Sequence, residues 1–138
     1  MNCRLLATKL VKEGEGLRLK PYECTAGKLT IGYGHNLDDN GIPQEIADAL
    51  LEHDLNVVYS KLESMEWWRN LDSVRQAVIV DMCFNLGWPR LSGFRNMLAA
   101  VRVSDYQTAS VEMLDSKWAR QVGNRATKLA KIMKNGAV

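Results

Sequence analysis

Cysteine is scarce in this chain, with three residues at positions 3, 24 and 83 of 138. An odd number without CxxC spacing or paired histidines excludes a disulfide framework and the common kinds of zinc site. Long hydrophobic runs are also missing, because no apolar stretch approaches the roughly 18 residues of a membrane span. The sequence therefore predicts a protein that folds in a reducing compartment, uses no metal or cofactor and is not inserted in a membrane.

Excess charge is small, and its distribution is uneven. The formal net charge of +2 does not favour nucleic acid as a partner. The segment 116–138 has no acidic residue but six basic ones, namely Lys117, Arg120, Arg125, Lys128, Lys131 and Lys134. A solvated helix face explains this pattern most simply, and attraction to a polyanion such as an acidic wall polymer is the alternative.

Size and composition indicate one soluble globular domain, spanning 1–138. Hydrophobic residues make up 46% and charged residues 25% of the chain, which is ordinary for such a domain. A chain of this length buries roughly 68–70% of its unfolded surface, so a core forms without covalent staples. We expect a monomer.

The first half of the chain changes from helical to strand spacing near Glu15. Apolar residues at 3, 6, 7, 10 and 11 predict an amphipathic helix that ends at Gly14 or Gly16. Alternation over 17–22 and again over 29–33, around turn residues 24–27, predicts an antiparallel hairpin. Asp38–Gly41 reads as a turn, and Pro43 suits the first position of the next helix.

The second half predicts helices in succession. Positions 44–86 contain neither glycine nor proline, and we expect a connecting helix within 52–64. Asp72 or Ser73 can begin a nearly all-apolar helix that Gly87 ends, and we expect this helix to be the core of the second lobe. Three more helices are predicted at 94–101, at 104–114 with the capping pattern Ser104-x-x-Gln107, and at 125–134.

The predicted architecture is α+β and mostly helical. A small lobe with a short antiparallel sheet, about 15–51, is joined by the connecting helix to a larger helical lobe. That lobe comprises 65–138 together with the N-terminal helix 2–13. We expect an active-site cleft between the two lobes.

Reactive side chains cluster in 13–37, where a carboxyl, a thiol, a hydroxyl and an imidazole lie within 21 positions: Glu15, Cys24, Thr30 and His35. A carboxyl group at a helix end is a candidate general acid. Cys24 with His35 could instead form the dyad of a thiol peptidase. The position of Cys24 in a hairpin turn argues against the dyad. A helix N-terminus commonly favours the thiolate, and Cys24 does not lie at one.

The spacing Glu15-x8-Cys24-x5-Thr30, followed by the TIGYGH of 30–35, resembles the catalytic signature of bacteriophage-type lysozymes, glycoside hydrolase family 24. Further matches follow in the same order: FNLG at 84–87, SGF at 92–94, SKW at 116–118 and NRA at 124–126. The resemblance implies a lysozyme-like fold. It also implies hydrolysis of the β-1,4 bond between N-acetylmuramic acid and N-acetylglucosamine in peptidoglycan.

The resemblance also implies roles for the clustered residues. Glu15 would be the general acid, Cys24 would replace a commoner aspartate, and Thr30 would help to hold the attacking water. A free thiol has a pKa near 8.5 and is mostly neutral at pH 7. Two roles for Cys24 therefore stay open: a thiolate that polarises water or stabilises the oxocarbenium ion, or a nucleophile.

Further roles come from the same resemblance. His35 would form an ion pair with Asp54, and Arg125 would approach the catalytic carboxyl from the helical lobe. Asn36 and Phe84 would line the sugar-binding cleft, although Phe84 as a plain core residue is an equal alternative.

The function expected is that of an endolysin in host cell lysis. It would be made in the host cytoplasm and reach the periplasm and wall through a lesion made by a holin-type protein, since the N-terminus lacks a continuous apolar signal core. Two alternatives are a Cys24/His35-dependent peptidoglycan peptidase and a catalytically inactive wall-binding module.

Overall fold

The computed structural model describes residues 2–138 and divides the chain into two compact units whose boundary falls between Ala49 and Leu50. Helices predominate, and the sheet has three antiparallel strands, so the predicted mostly helical α+β class is confirmed. Within the described residues, no helix is long and apolar enough to cross a bilayer. The predicted division into a lobe at 15–51, a connecting helix and a larger lobe that includes helix 2–13 stays a prediction.

The first helix, α1, spans Cys3–Glu15, as its apolar spacing predicts. Asn2 begins it, because the Asn2 side-chain oxygen accepts a hydrogen bond from the backbone N–H of Leu5 at 2.9 Å. Gly16 ends it with a φ of +72°, a conformation that glycine adopts at little cost. Glu15 is therefore the last helical residue, at the predicted junction between helix and strand.

A three-stranded sheet follows, with strand order β1-β2-β3 and the bounds Arg18–Glu23, Leu29–Gly32 and His35–Asn36. Tyr22 pairs with Thr30 between β1 and β2, which confirms the predicted hairpin. Thr30 also pairs with Asn36 of β3. The sequence did not predict β3, because two residues are too few to show an alternating pattern.

One turn of helix, α2, spans Leu37–Asn40, so the turn predicted at Asp38–Gly41 was wrong. The Asn36 side-chain oxygen accepts a hydrogen bond from the backbone N–H of Asp39 at 3.0 Å and begins the helix. Asn and Asp favour both turns and helix N-termini, so the composition alone did not separate the two structures.

The long helix α3 spans Gln44–Glu63 without interruption. The helix predicted within 52–64 is the second part of this 20-residue helix, and its role as a connection between lobes stays a prediction. Pro43 lies just before it, and the Pro43 carbonyl accepts hydrogen bonds from the backbone N–H groups of Ile46 and Ala47, both at 3.1 Å. The helix therefore begins just after the proline, one residue later than predicted.

A short 3₁₀ helix at Trp68–Asn70 leads into α4, which spans Ser73–Leu86. Asp72 begins α4 as predicted, since its carboxylate accepts a hydrogen bond from the backbone N–H of Arg75 at 3.1 Å. Gly87 ends α4 with a φ of +81°, also as predicted.

Five helices complete the chain: α5 at Trp88–Leu91, α6 at Arg95–Arg102, α7 at Tyr106–Leu114, α8 at Lys117–Val122 and α9 at Asn124–Asn135. The sequence predicted α6, α7 and α9 to within two residues at each end. It did not predict α5 or α8, which are only four and six residues long.

The cap predicted for α7 was wrong. Asp105, and not Ser104, begins this helix, because the Asp105 carboxylate accepts a hydrogen bond from the backbone N–H of Thr108 at 3.1 Å. Ser104 has a φ of +60° and turns the chain after α6. The capping pattern was therefore displaced by one residue.

The core of the second unit forms around α4, whose Val78, Ile79 and Met82 are almost fully buried. Their fully buried partners come from other helices of this unit: Leu62, Leu91, Met97, Met113 and Met133. Trp67 and Trp68 are also buried. The predicted core position of α4 is confirmed.

Candidate active site

Glu15 lies at the end of α1, and its carboxyl group lies against Gly34 in the turn between β2 and β3. A Cβ atom built on Gly34 would be 2.6 Å from Oε2 and 2.9 Å from Cδ of Glu15. Only a residue without a side chain leaves room for the carboxyl group in this position. The helix end and the β2–β3 turn therefore position Glu15 together.

Cys24 follows the last residue of β1 and begins the turn that leads to β2. Its backbone N–H donates a hydrogen bond to the Lys28 carbonyl at 2.9 Å, and its own carbonyl accepts one from the N–H of Gly27 at 2.8 Å. Gly27 has a φ of +76°, which glycine allows in so tight a turn. The thiol is half-buried.

Thr30 in β2 is the buried member of the cluster, with 3% of its surface exposed. Its hydroxyl donates a hydrogen bond to the Lys28 carbonyl at 2.8 Å. The same carbonyl accepts the backbone N–H of Cys24. The structure thus brings Cys24 and Thr30 together on one acceptor, as their spacing across the hairpin turn suggests.

The turn around Cys24 favours the thiolate. Hydrogen bonds from the backbone N–H of Lys28, then from that of Ala26, then from the Thr30 hydroxyl lower the pKa of the Cys24 thiol below its ordinary value. The one proton of the Thr30 hydroxyl is shared between the Lys28 carbonyl and the sulfur. Burial acts in the opposite direction and is outweighed. A larger fraction of thiolate is therefore present near neutral pH than for a free cysteine.

His35 turns toward the end of α2. Since a carbonyl oxygen can only accept, the His35 Nε2–H donates a hydrogen bond to the Gly41 carbonyl at 2.5 Å. The hydrogen bonds that lower the pKa of Cys24 come from the backbone and from Thr30. The geometry of the first unit therefore does not favour a Cys24–His35 dyad.

The side-chain amide of Asn36 forms hydrogen bonds with α2 through both its oxygen and its nitrogen. Besides accepting from the Asp39 N–H, it donates from Nδ2 to the Asp39 carboxylate at 2.9 Å. Its predicted part in sugar binding stays a prediction.

Two aspartates of α2 hold the start of β2, which sequence reasoning missed. The Asp38 carboxylate accepts a hydrogen bond from the backbone N–H of Leu29 at 2.6 Å, and the Asp39 carboxylate forms an ion pair with Lys28 at 3.1 Å. Lys28 and Leu29 flank the carbonyl that joins Cys24 to Thr30. The run of two aspartates after Asn36 was the available signal, and it was read only as a turn.

Phe84 and Arg125 lie at the same cavity of the second unit. Both line a cavity of about 480 Å³, together with Asp81 and Trp68. Phe84 is 43% exposed, so it is not a plain core residue. Its predicted part in sugar binding stays a prediction.

Arg125 is held by a partner that sequence reasoning missed. It donates from Nε and Nη2 to one carboxylate oxygen of Asp81, at 2.9 and 2.6 Å. Asp81 lies 44 positions earlier, so no local spacing could reveal the pair. The predicted support of the catalytic carboxyl by Arg125 stays a prediction.

Asp54, the predicted partner of His35, lies in α3. It lines a second cavity of the same unit, of about 280 Å³, with Lys61 and Trp88 among its neighbours. Its ion pair with His35 stays a prediction.

A small antiparallel sheet with a carboxyl-bearing helix end, in a mostly helical chain, is the arrangement expected of a lysozyme, an enzyme that hydrolyses glycosidic bonds. Comparison with known proteins agrees with this class. The model of the Phage lysozyme family matches residues 12–134, and the chain belongs to that family.

Curated relatives carry names of the same class. The chain is 35% identical to the "Endolysin" of Acyrthosiphon pisum secondary endosymbiont phage 1, over 91% of this chain and 86% of that protein. It is 26% identical to "Probable T4-type lysozyme 1" of Dictyostelium discoideum, over 94% of both chains. It is also 26% identical to "Pre-baseplate central spike protein Gp5" of Enterobacteria phage T4, over 98% of this chain and 28% of that protein. The predicted family, lysozyme-like fold and glycosidase activity are therefore confirmed.

Proposed function

We propose that this lysozyme is a muramidase of host cell lysis. It hydrolyses the β-1,4 bond between N-acetylmuramic acid and N-acetylglucosamine in bacterial peptidoglycan. The observation that carries the proposal is the convergence of Cys24 and Thr30 on the Lys28 carbonyl, within a family match that continues to residue 134. The name of the endolysin relative supports the same role.

Glu15 acts as the general acid. It gives its proton to the glycosidic oxygen as the bond from that oxygen to the anomeric carbon breaks, so that the leaving sugar departs as a neutral alcohol. The other sugar develops oxocarbenium character in the transition state. The position of Glu15, at a helix end and against Gly34, supports this role, because general acid catalysis needs a carboxyl in a fixed position.

Cys24 acts as a thiolate, and Thr30 orients the attacking water. The thiolate stabilises the positive charge of the transition state and accepts a proton from the water as its oxygen bonds to the anomeric carbon. The hydrogen bonds that lower the pKa of Cys24 also reduce its intrinsic nucleophilicity, which favours this role over a covalent intermediate.

The stereochemistry of the product distinguishes the two roles of Cys24. Direct attack by water inverts the anomeric carbon, so the β-linked substrate gives an α-anomer as its first product. Proton NMR of fresh digests measures the anomer. A β-anomer would indicate the covalent intermediate and overturn this assignment.

The remaining predicted residues have supporting parts in this proposal. Asn36 and Phe84 bind sugar, Arg125 supports the catalytic carboxyl, and His35 forms an ion pair with Asp54. The last of these has a direct test in the free energy of unfolding, since replacing His35 with Ala should cost less in the Asp54→Asn background than in the wild type. Equal costs in the two backgrounds would exclude the ion pair.

The enzyme acts on the wall from inside the infected cell. We propose that it is made in the host cytoplasm as a monomer and reaches the periplasm through a lesion made by a holin-type protein. The six basic residues of 116–138 offer attraction to acidic wall polymers.

Product analysis separates this function from its alternatives. Purified peptidoglycan is digested, and new reducing ends and new free amino groups are both measured. The proposal predicts reducing ends alone. A peptidase would release amino groups, and a wall-binding module would bind the substrate without releasing either.

Variants with matched controls assign the residues. Glu15→Gln should lose at least about 100-fold in rate, because it removes a general acid, whereas Glu13→Gln on the same exposed helix should not. Cys24→Ala should be impaired, whereas replacement of the exposed Cys3 with Ala should not. Full glycan cleavage by Glu15→Gln would overturn the proposed mechanism.

A further inference from the structure

Gly34 stands out among the glycines of the hairpin because of what faces it. A Cβ atom on Gly34 would lie 2.6 Å from Oε2, 2.9 Å from Cδ and 3.3 Å from Cγ of Glu15. Separations below 3.0 Å are not tolerated between such atoms, so the Glu15 side chain would have to move. The whole end of the carboxyl-bearing side chain contacts this one backbone position.

Gly32, two residues earlier, provides a comparison within the same hairpin. Both glycines have a φ of +71°, where a residue with a side chain is strained. Apart from its own chain neighbours, nothing among residues 2–138 lies within 4 Å of a Cβ atom built on Gly32. The two positions therefore share a positive φ and differ in contact with Glu15.

We propose that Gly34 is a positioning residue of the lysozyme reaction, and that its missing side chain fixes the place of the Glu15 carboxyl group. The proposal rests on the proposed role of Glu15 as the general acid. A glycine at 34 allows the carboxyl to lie directly against the β2–β3 turn. Any Cβ displaces it from the glycosidic oxygen to which it donates its proton.

The displacement acts on the chemical step. A misplacement of about 1 Å in a catalytic group costs on the order of 100-fold in rate. Substrate binding by the rest of the protein is unaffected, so KM should change little. The effect should therefore be a loss of kcat.

The first test compares Gly34→Ala with Gly32→Ala in kcat, KM and thermal unfolding. Both variants should lower Tm by similar amounts, since both place an alanine at a position whose φ is positive. Gly34→Ala should lower kcat by about 30- to 100-fold with little change in KM, and Gly32→Ala should keep kcat within about threefold. Equal kcat values for the two variants would overturn the proposal.

Asparagine at both positions covers the case in which alanine prevents folding. Asn adopts positive φ more readily than Ala but still carries a Cβ atom. Gly34→Asn should therefore fold and still lose kcat, whereas Gly32→Asn should retain it. Retained kcat in Gly34→Asn would again overturn the proposal.

A double variant tests the contact itself. Glu15→Asp shortens the acid by one methylene and withdraws the carboxyl from position 34, at a cost in kcat of its own. Adding Gly34→Ala to Glu15→Asp should then cost less than about threefold, because the shortened acid is already displaced and the two effects are not additive. A full additional loss would assign the effect to the backbone and contradict the proposal.

Glu15→Gln keeps this inference distinct from the proposed function. Should Glu15→Gln remain active, the proposed mechanism fails and the role of Gly34 fails with it. Should Glu15→Gln be inactive while Gly34→Ala and Gly32→Ala match in kcat, only the role of Gly34 fails.

Discussion

Cys24 is the residue at which chemistry and local structure depend on each other most closely. The turn that begins at Cys24 points backbone N–H groups of Ala26 and Lys28 at the thiol, and Thr30 adds its hydroxyl. These donors stabilise the charged form of the thiol. The lowered pKa makes the thiolate of the proposed role more accessible than that of a free cysteine.

The activity of the wild type should fall as the pH drops through the lowered pKa of Cys24, because the thiolate gains a proton there and loses its charge. Cys24→Asp should move this fall to more acidic pH, since a carboxyl group titrates near 4. Profiles of kcat/KM against pH measure both. Coincident acid limbs in the two proteins would exclude Cys24 as the titrating group.

Removing one donor to the thiolate should shift the pKa of Cys24 upward. Thr30→Val keeps the shape of Thr30 but removes the hydroxyl, so less thiolate forms at a given pH. Absorbance of the thiolate near 240 nm, with Cys24→Ala subtracted, measures the change. Thr108→Val, a matched change in the second unit of the chain, is the control and should leave the titration unchanged.

The spacing of Glu15, Cys24 and Thr30 could be read from the sequence, because all three lie within one short segment. The contacts that join them could not be read from the sequence. The Lys28 carbonyl, the Asp39–Lys28 ion pair and the fit of Glu15 against Gly34 depend on strand register and on backbone conformation. Those features are absent from the pattern of residue types.

At the scale of elements, capping residues fix where helices begin, and the two aspartate caps had different outcomes. Asp72 was predicted and confirmed as the start of α4. Asp105 was missed, because Ser104-x-x-Gln107 offered an equally good pattern one residue earlier. The positive φ of Ser104, which the sequence does not reveal, decided between them.

Asp72→Ala should lower the free energy of unfolding by about 1 kcal/mol, the usual cost of losing such a cap. Asp72→Asn is the matched control, since an amide oxygen caps nearly as well. Denaturant unfolding followed by circular dichroism at pH 7 measures both variants. Equal losses in Ala and Asn would indicate that charge, and not the cap, stabilises this helix.

The contribution of Asp72 should also depend on pH. Burial raises its pKa, but hydrogen bonds from the Arg75 backbone and guanidinium, together with the Arg75 charge, outweigh burial and hold the pKa below its ordinary value. Its stabilising charge is therefore fully present above the ordinary pKa of about 3.9 and lost as the pH falls through the lowered value. The difference between wild type and Asp72→Ala should shrink over that acidic range. A difference independent of pH would contradict this.

At the scale of the whole molecule, the buried core of the second unit stabilises the fold, and the site residues do not. The apolar pattern of α4 predicted this core correctly. The packing of the short helix α5 into it was not predictable, because four residues show no helical period. Leu91 of α5 is nevertheless completely buried.

Leu91→Ala should cost about 2–5 kcal/mol in unfolding free energy, because it leaves a cavity in a packed core. Leu114→Ala is the matched control. Leu114 is 46% exposed, and its truncation should cost less than about 1 kcal/mol. Chemical denaturation of both variants measures the difference. Similar costs would show that α5 does not belong to the core.

In the proposed function, the chain cuts one particular bond of peptidoglycan with Glu15 as the acid. Borohydride reduction of a wild-type digest, followed by acid hydrolysis and sugar analysis, identifies which sugar carries the new reducing end. We expect reduced muramic acid from the wild type and from Glu13→Gln, and almost none from Glu15→Gln. Reduced glucosamine in its place would exclude the muramidase, and undiminished product from Glu15→Gln would exclude Glu15 as the acid.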